Sequence, residues 1–248
     1  MNEGDRAQGG EDGGAVRPPG AEPSTSFDAL RTGFTAAVSH ELRTPLARIL
    51  ALLDSTDLPG ADVAALLDQA RAEVENAGTL IDEILFLSEL ESGREVVALG
   101  HTTALPVIRE VLDEHEDAAA RAGVTLEAVG DDDVELPLRP RMLRILAENL
   151  AENAIRYAGH GATFRLEARR DNDTTTLVGA DDGAGVAQGD LPRLFERFWR
   201  ADTARASRGT GLGLAIVKHV VAAAGGTVEA RGDRGRGLEV RCIFPTFS

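Results

Sequence analysis

The sequence predicts a multi-domain chain. An all-α helical hairpin, a four-helix bundle once dimerised, is followed by an α+β two-layer sandwich. Three observations predict this. Apolar residues recur at helical spacing from Phe27 to Glu91, interrupted only by the turn sequence Asp57-Leu58-Pro59-Gly60. Ser92-Gly93 closes that region. Beyond it, short strand-like runs alternate with helical ones, the order of a largely antiparallel sheet with helices on one face.

Residues 1–26 are rich in Gly, Pro, Glu and Asp and have almost nothing to bury, which reads as a disordered leader or linker. The same stretch is equally the scar expected where an upstream sensor segment is missing. The first helix is expected over 27–56, where Phe34, Val38, Leu42, Ile49, Leu52 and Leu53 recur at intervals near three and four or their multiples. The second, over 61–91, carries Val63, Leu66, Leu67, Ala70, Val74, Ala77, Ile81, Ile84, Leu85 and Leu87 on its apolar side. Each would be about 45 Å long at ~1.5 Å per residue. A lone hairpin cannot enclose its own apolar stripe, so residues 27–93 are expected to pair with a second copy in a homodimer. The alternative is a hairpin folded back onto its own C-terminal domain.

The second domain, 94–248, begins with a short strand at 96–99 and a helix at 104–122. Strands at 124–129 and 134–136 flank Gly130-Asp131-Asp132-Asp133, an acidic stretch that reads as a solvated hairpin turn in preference to a metal site. A helix over 141–157, strands over 163–169 and 174–180, a glycine-rich irregular stretch, a helix over 212–224, and strands over 227–231 and 238–244 complete the order.

Composition narrows the function classes. A net charge of −15 and a pI near 4.8 disfavour nucleic acid or an anionic membrane as a general partner. Cys242 is the single cysteine, so an intramolecular disulfide and a cysteine-based zinc site are both excluded; its strand setting suggests a packed thiol. No run approaches a membrane span, and the N-terminus lacks the order of a signal peptide, so a cytoplasmic protein is expected.

Two clusters carry chemistry. Ser39-His40-Glu41-Leu42-Arg43-Thr44-Pro45-Leu46 sets an imidazole beside a carboxylate on the first helix. Downstream, four stretches fit nucleotide binding. In Asn149-Leu150-Ala151-Glu152-Asn153-Ala154-Ile155-Arg156-Tyr157, Asn149, Asn153 and Arg156 or Tyr157 share a helix face. Asn153 can join an octahedral Mg²⁺ shell, Arg156 can neutralise phosphate and Tyr157 can pack along a base. Taken singly, these are ordinary helix-surface residues. In Asp181-Asp182-Gly183-Ala184-Gly185, a strand-end carboxylate can accept a hydrogen bond from the exocyclic amine of adenine, and Gly183 and Gly185 allow close backbone approach. Leu194-Phe195-Glu196-Arg197-Phe198-Trp199-Arg200 reads as a flap anchored by Phe195 and Phe198, with Arg200 able to reach a terminal phosphate. Gly209, Thr210, Gly211, Leu212 and Gly213 open a helix whose free N–H groups suit an anion. The polar residues 201–208 read as a mobile lid. No Walker A pattern occurs, and a dinucleotide fold is disfavoured because no strand precedes these glycines.

In order and spacing, these five stretches resemble the H, N, G1, F and G2 boxes of the sensor histidine kinases of two-component systems, over about residues 27–244. The resemblance implies a dimerisation and phosphotransfer hairpin followed by a Bergerat-type ATP-binding domain, with ATP and Mg²⁺ as cofactors. It implies that His40 is the phosphoacceptor, that Glu41 orients its imidazole, that Asn153 holds Mg²⁺ and that Asp181 reads adenine. The glycines of 209–213 would line the triphosphate. The phosphoryl group would pass to an aspartate of a response regulator receiver domain. Thr44 matches the family's HExxT pattern and implies phosphatase activity, although its hydroxyl can instead cap the backbone ahead of Pro45. Pro140 and Ala224 depart from residues common in the family without removing a needed group. The rival readings are an ATP-binding dimeric scaffold without phosphotransfer, and an ATPase or serine kinase sharing only the nucleotide fold.

Overall fold

The computed structural model describes residues 24–93, 100–171, 173–201 and 209–245, with side chains from Ala37 onward. The leader, the strand expected at 96–99 and all but Ala201 of the lid therefore lie outside the described residues, apart from Ser24–Ser26, which open the first helix. The chain divides into two compact units, Met1–Ser39 and His40–Ser248; the described part of the first is the opening of α1.

Helix α1 spans Ser24–Ser55 and α2 spans Val63–Glu91. The Asp57–Gly60 turn separates them, and Asp62 caps α2 by accepting from the Ala65 N–H at 3.1 Å. Pro45 stays within α1. Across the hairpin, the Arg48 guanidinium lies 3.6 Å from the buried Glu73 carboxylate.

The remainder is a two-layer α+β domain. Strands β2 (Thr125–Gly130), β4 (Thr163–Arg170), β5 (Thr174–Asp181), β6 (Thr227–Gly232) and β7 (Leu238–Pro245) form a sheet in the order β2-β4-β5-β7-β6. Three of its four pairings are antiparallel; β2 and β4 run parallel. The expected hairpin around Asp131–Asp133 does not form. β2 pairs with β4, whereas Glu135–Leu136 (β3) pairs with Thr102–Thr103 (β1) in a separate two-stranded ladder. The acidic triplet is a turn between two sheets, and no group of three or more metal-binding side chains occurs among the described residues.

Alternation along the strands gives the sheet one apolar face. Phe164, Leu166 and Ala168 of β4 and Leu238, Val240, Cys242 and Phe244 of β7 point inward, with Arg165, Glu167, Glu239 and Arg241 between them. Helices α3 (Ala104–Ala122), α4 (Pro140–Tyr157) and α5 (Gly213–Ala223) cover that face. Pro140 occupies the first turn of α4, where its missing N–H costs nothing. Gly179 of β5 lies beneath α4: a Cβ there would sit 3.2 Å from the Phe164 ring and 3.4 Å from Leu150 Cβ. Leu146 of α4 is completely buried at the centre of this core. Leu146→Ala is therefore expected to lower the unfolding free energy by about 2–5 kcal/mol, read as an earlier urea midpoint.

α2 carries two stripes. Val63, Leu67, Val74, Ile81 and Leu85 remain exposed, as do Leu46, Leu50 and Leu53 of α1. Leu80, Leu87 and Leu90 are instead buried in the same core as α5. The face of α2 that carries them is thus folded back onto the chain's own C-terminal domain, the alternative open at the sequence level.

Candidate active site

A cavity of about 340 Å³ opens where four segments remote in sequence meet. α4 supplies Asn149, Glu152, Asn153, Arg156 and Tyr157, and the turn after β5 supplies Ala184, Gly185 and Val186. The aromatic segment adds Leu194, Trp199, Arg200 and Ala201, and the start of α5 adds Thr210, Gly211, Gly213 and Leu214. Glu83 and Leu238 complete the wall. The volume falls in the range of small-molecule sites.

The spacing of α4 aims its polar residues at one place. Asn149 donates through Nδ2 to the Ile145 carbonyl at 2.8 Å, leaving Oδ1 as the open end of the carboxamide. A side chain at Gly213 would meet that oxygen at 2.6 Å, so the carboxamide lies directly over the start of α5. Asn153 is half-buried, and its carboxamide has no hydrogen-bond partner among the described residues. Arg156 reaches Glu152 at 3.5 Å, and both Arg156 and Tyr157 approach Gly209.

Asp181 ends β5 on the helix-facing side of the sheet, in register with Phe164. Burial pushes its carboxyl above the usual carboxylate range. Hydrogen bonds donated by the backbone N–H groups of Gly183 and Leu238 pull it back, and neighbouring Asp182 adds to the rise. Neither Asp181 nor Gly183 forms part of the cavity wall; Gly185 does. Gly185 holds φ +64° with its α-carbon against the main chain of Asp233, where any Cβ would overlap the carbonyl oxygen at 1.9 Å. That turn admits no other residue without rearrangement.

The glycine segment and the aromatic segment are joined. Phe198 adopts φ +61°, a left-handed conformation that is costly for a bulky residue, and its N–H donates to the Gly211 carbonyl at 2.9 Å. Phe195, Phe198 and Trp199 pack against the core, and Arg193 lies 5.5 Å from the Trp199 ring. Leu212 has its side chain wholly in the core and takes part through its N–H, which donates to Thr210 Oγ1 at 3.3 Å. Gly209 also stands outside the cavity wall.

His40 lies elsewhere, on a shallow surface of α1 shared with Arg43, Thr44, Ala47, Arg48 and Ala51. Its side chain is 76% exposed, and Nδ1 is 3.5 Å from Glu41 Oε1. The Thr44 hydroxyl donates to the His40 carbonyl over a long 3.4 Å. The structure therefore brings the four downstream segments together around one cavity and leaves His40, Glu41 and Thr44 on a separate surface.

Glu83 was not legible as a site residue, because an acidic side chain on a long helix resembles a solvated charge. Its signal was positional: it falls between Leu80, Leu87 and Leu90 on the buried stripe.

Two family models match in the same order. Residues 30–93 match the His Kinase A (phospho-acceptor) domain, and residues 139–247 match the histidine kinase-, DNA gyrase B- and HSP90-like ATPase. The chain is similar to the sensor-like histidine kinase SenX3 of Mycobacterium tuberculosis, with 32% identity over 227 residues. That match covers 89% of this chain and 55% of SenX3, so the chain spans about half the length of the curated relatives it matches. Among solved structures, full-length ShkA in complex with AMPPNP superposes with a TM-score of 0.63 at 27% identity, covering 86% of this chain and 46% of that one. The histidine kinase ThkA in complex with the response regulator protein TrrA gives 0.71 at 18% identity, covering 90% and 64%, a likeness of fold. A phosphoacceptor module and an ATPase module matched in sequence on one polypeptide, together with likeness to named kinases along most of its length, lead to one conclusion: the chain belongs to the sensor histidine kinases of two-component systems.

Proposed function

We propose that this chain is an ATP-dependent protein-histidine kinase that autophosphorylates on His40 and passes the phosphoryl group to an aspartate of a response regulator receiver domain. The observation that carries the reading is the convergence of four distant segments on one cavity with a neutral carboxamide end, a guanidinium and the start of a helix. ATP fits this set. Arg156, Arg200 and the N–H groups opening α5 face its phosphates, and the apolar wall at Val186 and Leu238, near the Asp181 carboxylate, suits adenine.

The residues also fit Mg²⁺. Asn153, with Asn149 beside it, would hold the ion through carboxamide oxygen; the ion would supply charge neutralisation between phosphate groups. At the acceptor, Glu41 receives the Nδ1 proton side of the His40 ring and leaves the Nε2 lone pair to attack the terminal phosphorus. A P–N bond forms as the bond to the ADP oxygen breaks. Because His40 lies outside the cavity wall, transfer requires the ATP domain to move against the hairpin.

Residues 27–93 act in this reading as the dimerisation and phosphotransfer module, and 94–248 as the catalytic module. The exposed apolar stripe of Leu46, Leu50, Leu53, Val63, Leu67 and Leu85 supports homodimerisation. In the ThkA complex a similar fold is paired with a response regulator protein, which supports that partner class. No helix among the described residues is long and apolar enough to cross a membrane, and ATP chemistry favours a cytoplasmic position for this part of the protein.

Incubation with labelled ATP tests the reading. A phosphate label lost in acid and kept in base supports it, whereas a wild type that binds ATP without acquiring label favours a scaffold, and acid-stable label an unrelated kinase. Thr44 is exposed and only loosely bonded to the backbone, so its hydroxyl is available to position water. Thr44→Ala is expected to keep autophosphorylation and to slow dephosphorylation of the regulator by about 10- to 100-fold, measured as decay of regulator phosphate.

A further inference from the structure

Two charged residues lie on the buried stripe of α2: Glu73, which Arg48 of α1 meets, and, further along, Glu83. Leu80, Leu87 and Leu90 surround Glu83 at helical intervals of three, four and seven and pack into the core shared with α5. The stripe therefore delivers a carboxylate from the hairpin into the wall of the cavity of the catalytic module. There the Thr210 hydroxyl donates a hydrogen bond to Glu83, and Thr210 in turn accepts from the Leu212 N–H at the opening of α5. Oε2 of Glu83 is shielded from solvent and has no hydrogen-bond partner among the described residues. Around it stand Arg156, which attracts it, and Glu152, which repels it. Burial pushes the Glu83 carboxyl above the usual range, with the Thr210 bond and Arg156 acting against that rise.

Thr210, Gly211 and Arg156 are the groups that suit phosphate. A carboxylate held on them stands where a polyanion must go. We propose that Glu83 is an autoinhibitory latch: seated on Thr210 it occupies the phosphate end of the nucleotide cavity, so that binding of a nucleoside triphosphate expels it and frees α2 from α5. This rests on the cavity being the ATP site. The antagonism is reciprocal: a docked α2 weakens triphosphate binding by the same factor by which triphosphate weakens docking. At its C-terminal end α2 is held by a second contact, Glu91 with Arg197 and with His219 at 3.5 Å, which lies away from the cavity wall. The latch is thus a local trigger on a helix anchored in two places.

The test compares the full chain with Glu83→Gln, which keeps shape and removes charge. Dissociation constants are measured by calorimetry for Mg-ATP and for uncharged adenosine, with the melting temperature confirming that each variant is folded. Expected is about 10-fold tighter ATP binding in Glu83→Gln with adenosine unchanged. Equal ATP affinity in both proteins overturns the latch while leaving the ATP site standing. Weaker ATP binding overturns it too, and makes Glu83 a ligand of the nucleotide-bound cation. Tightening for adenosine as well as ATP overturns the charge basis. If neither protein binds ATP, the underlying reading falls with the latch.

A second readout follows docking itself. Cys242 is fully buried, and burial pushes its thiol up to about 12, so it will not compete for thiol labels. Spin labels on Glu89→Cys of α2 and Ala222→Cys of α5 are expected to separate on saturation with the ATP analogue AMPPNP, and an unchanged distance overturns the release.

Discussion

His40→Gln is expected to abolish acid-labile phosphate incorporation, by at least about 1,000-fold, while leaving ATP affinity and the melting temperature unchanged. The size of the loss follows from chemistry. The variant has no ring nitrogen to form the P–N bond, so the pathway ends and is not merely slowed. Preserved stability follows from position, because the side chain is mostly in solvent and its nearest polar partner is the adjacent Glu41 at 3.5 Å. His115 and His219 are tied into other contacts, with the Val111 carbonyl and with Glu91 respectively. Burial and the charges of Arg197 and Lys218 hold the His219 imidazole below the usual range. Label persisting in His40→Gln at a tenth of the wild-type level would place the acceptor on another residue.

Asn153→Ala is expected to reduce autophosphorylation by about 100-fold or more and to cost little stability. Its carboxamide lines the cavity and makes no hydrogen bond among the described residues, so the fold loses almost nothing when it is removed. In the proposed role, a nucleotide-bound ion would lose a protein ligand, and loss of groups that merely orient such ligands already costs ~10–100-fold in metal affinity. Thermal unfolding with and without Mg-ATP separates the effects. A ligand at 100 times its Kd adds about 2.7 kcal/mol, and this increment should nearly vanish in the variant while the unliganded transition stays in place. Adenosine should bind both proteins alike, because it carries no phosphate for the ion to bridge. An unaltered Mg-ATP increment would remove Asn153 from the metal-binding role.

Much of the architecture was legible because each element repeats one local signal. α3 spans the residues expected from its periodicity, and α4, α5 and the four later strands start and stop within a residue or two of their expected limits. Partner choice was not legible. Asp131–Asp133 has the composition of a hairpin turn, but β2 is drawn to β4 by the apolar side chains it shares with the helix layer, a long-range preference that no local window contains. The docking of α2 has the same cause: spacing places Leu87 on a stripe expected to meet a second copy, with fold-back only as the alternative, and Leu80 does not stand out in that pattern. At the site, the four segments were readable as clusters of chemistry. What could not be read was which residues act by side chain and which by backbone. Leu212 illustrates this, since its side chain belongs to the core and only its N–H faces the loop.

The missing side chain at Gly179 has a further effect. α4 rests on the sheet at this point through Leu150, three residues ahead of Asn153, and Asp181 stands two residues beyond on the same strand. The thickness of a single hydrogen atom therefore gauges the gap between helix and sheet, and with it the reach from the carboxylate to the carboxamide. A methyl group here would act as a shim, tilting one jaw of the cleft away from the other without altering any residue of the cavity wall.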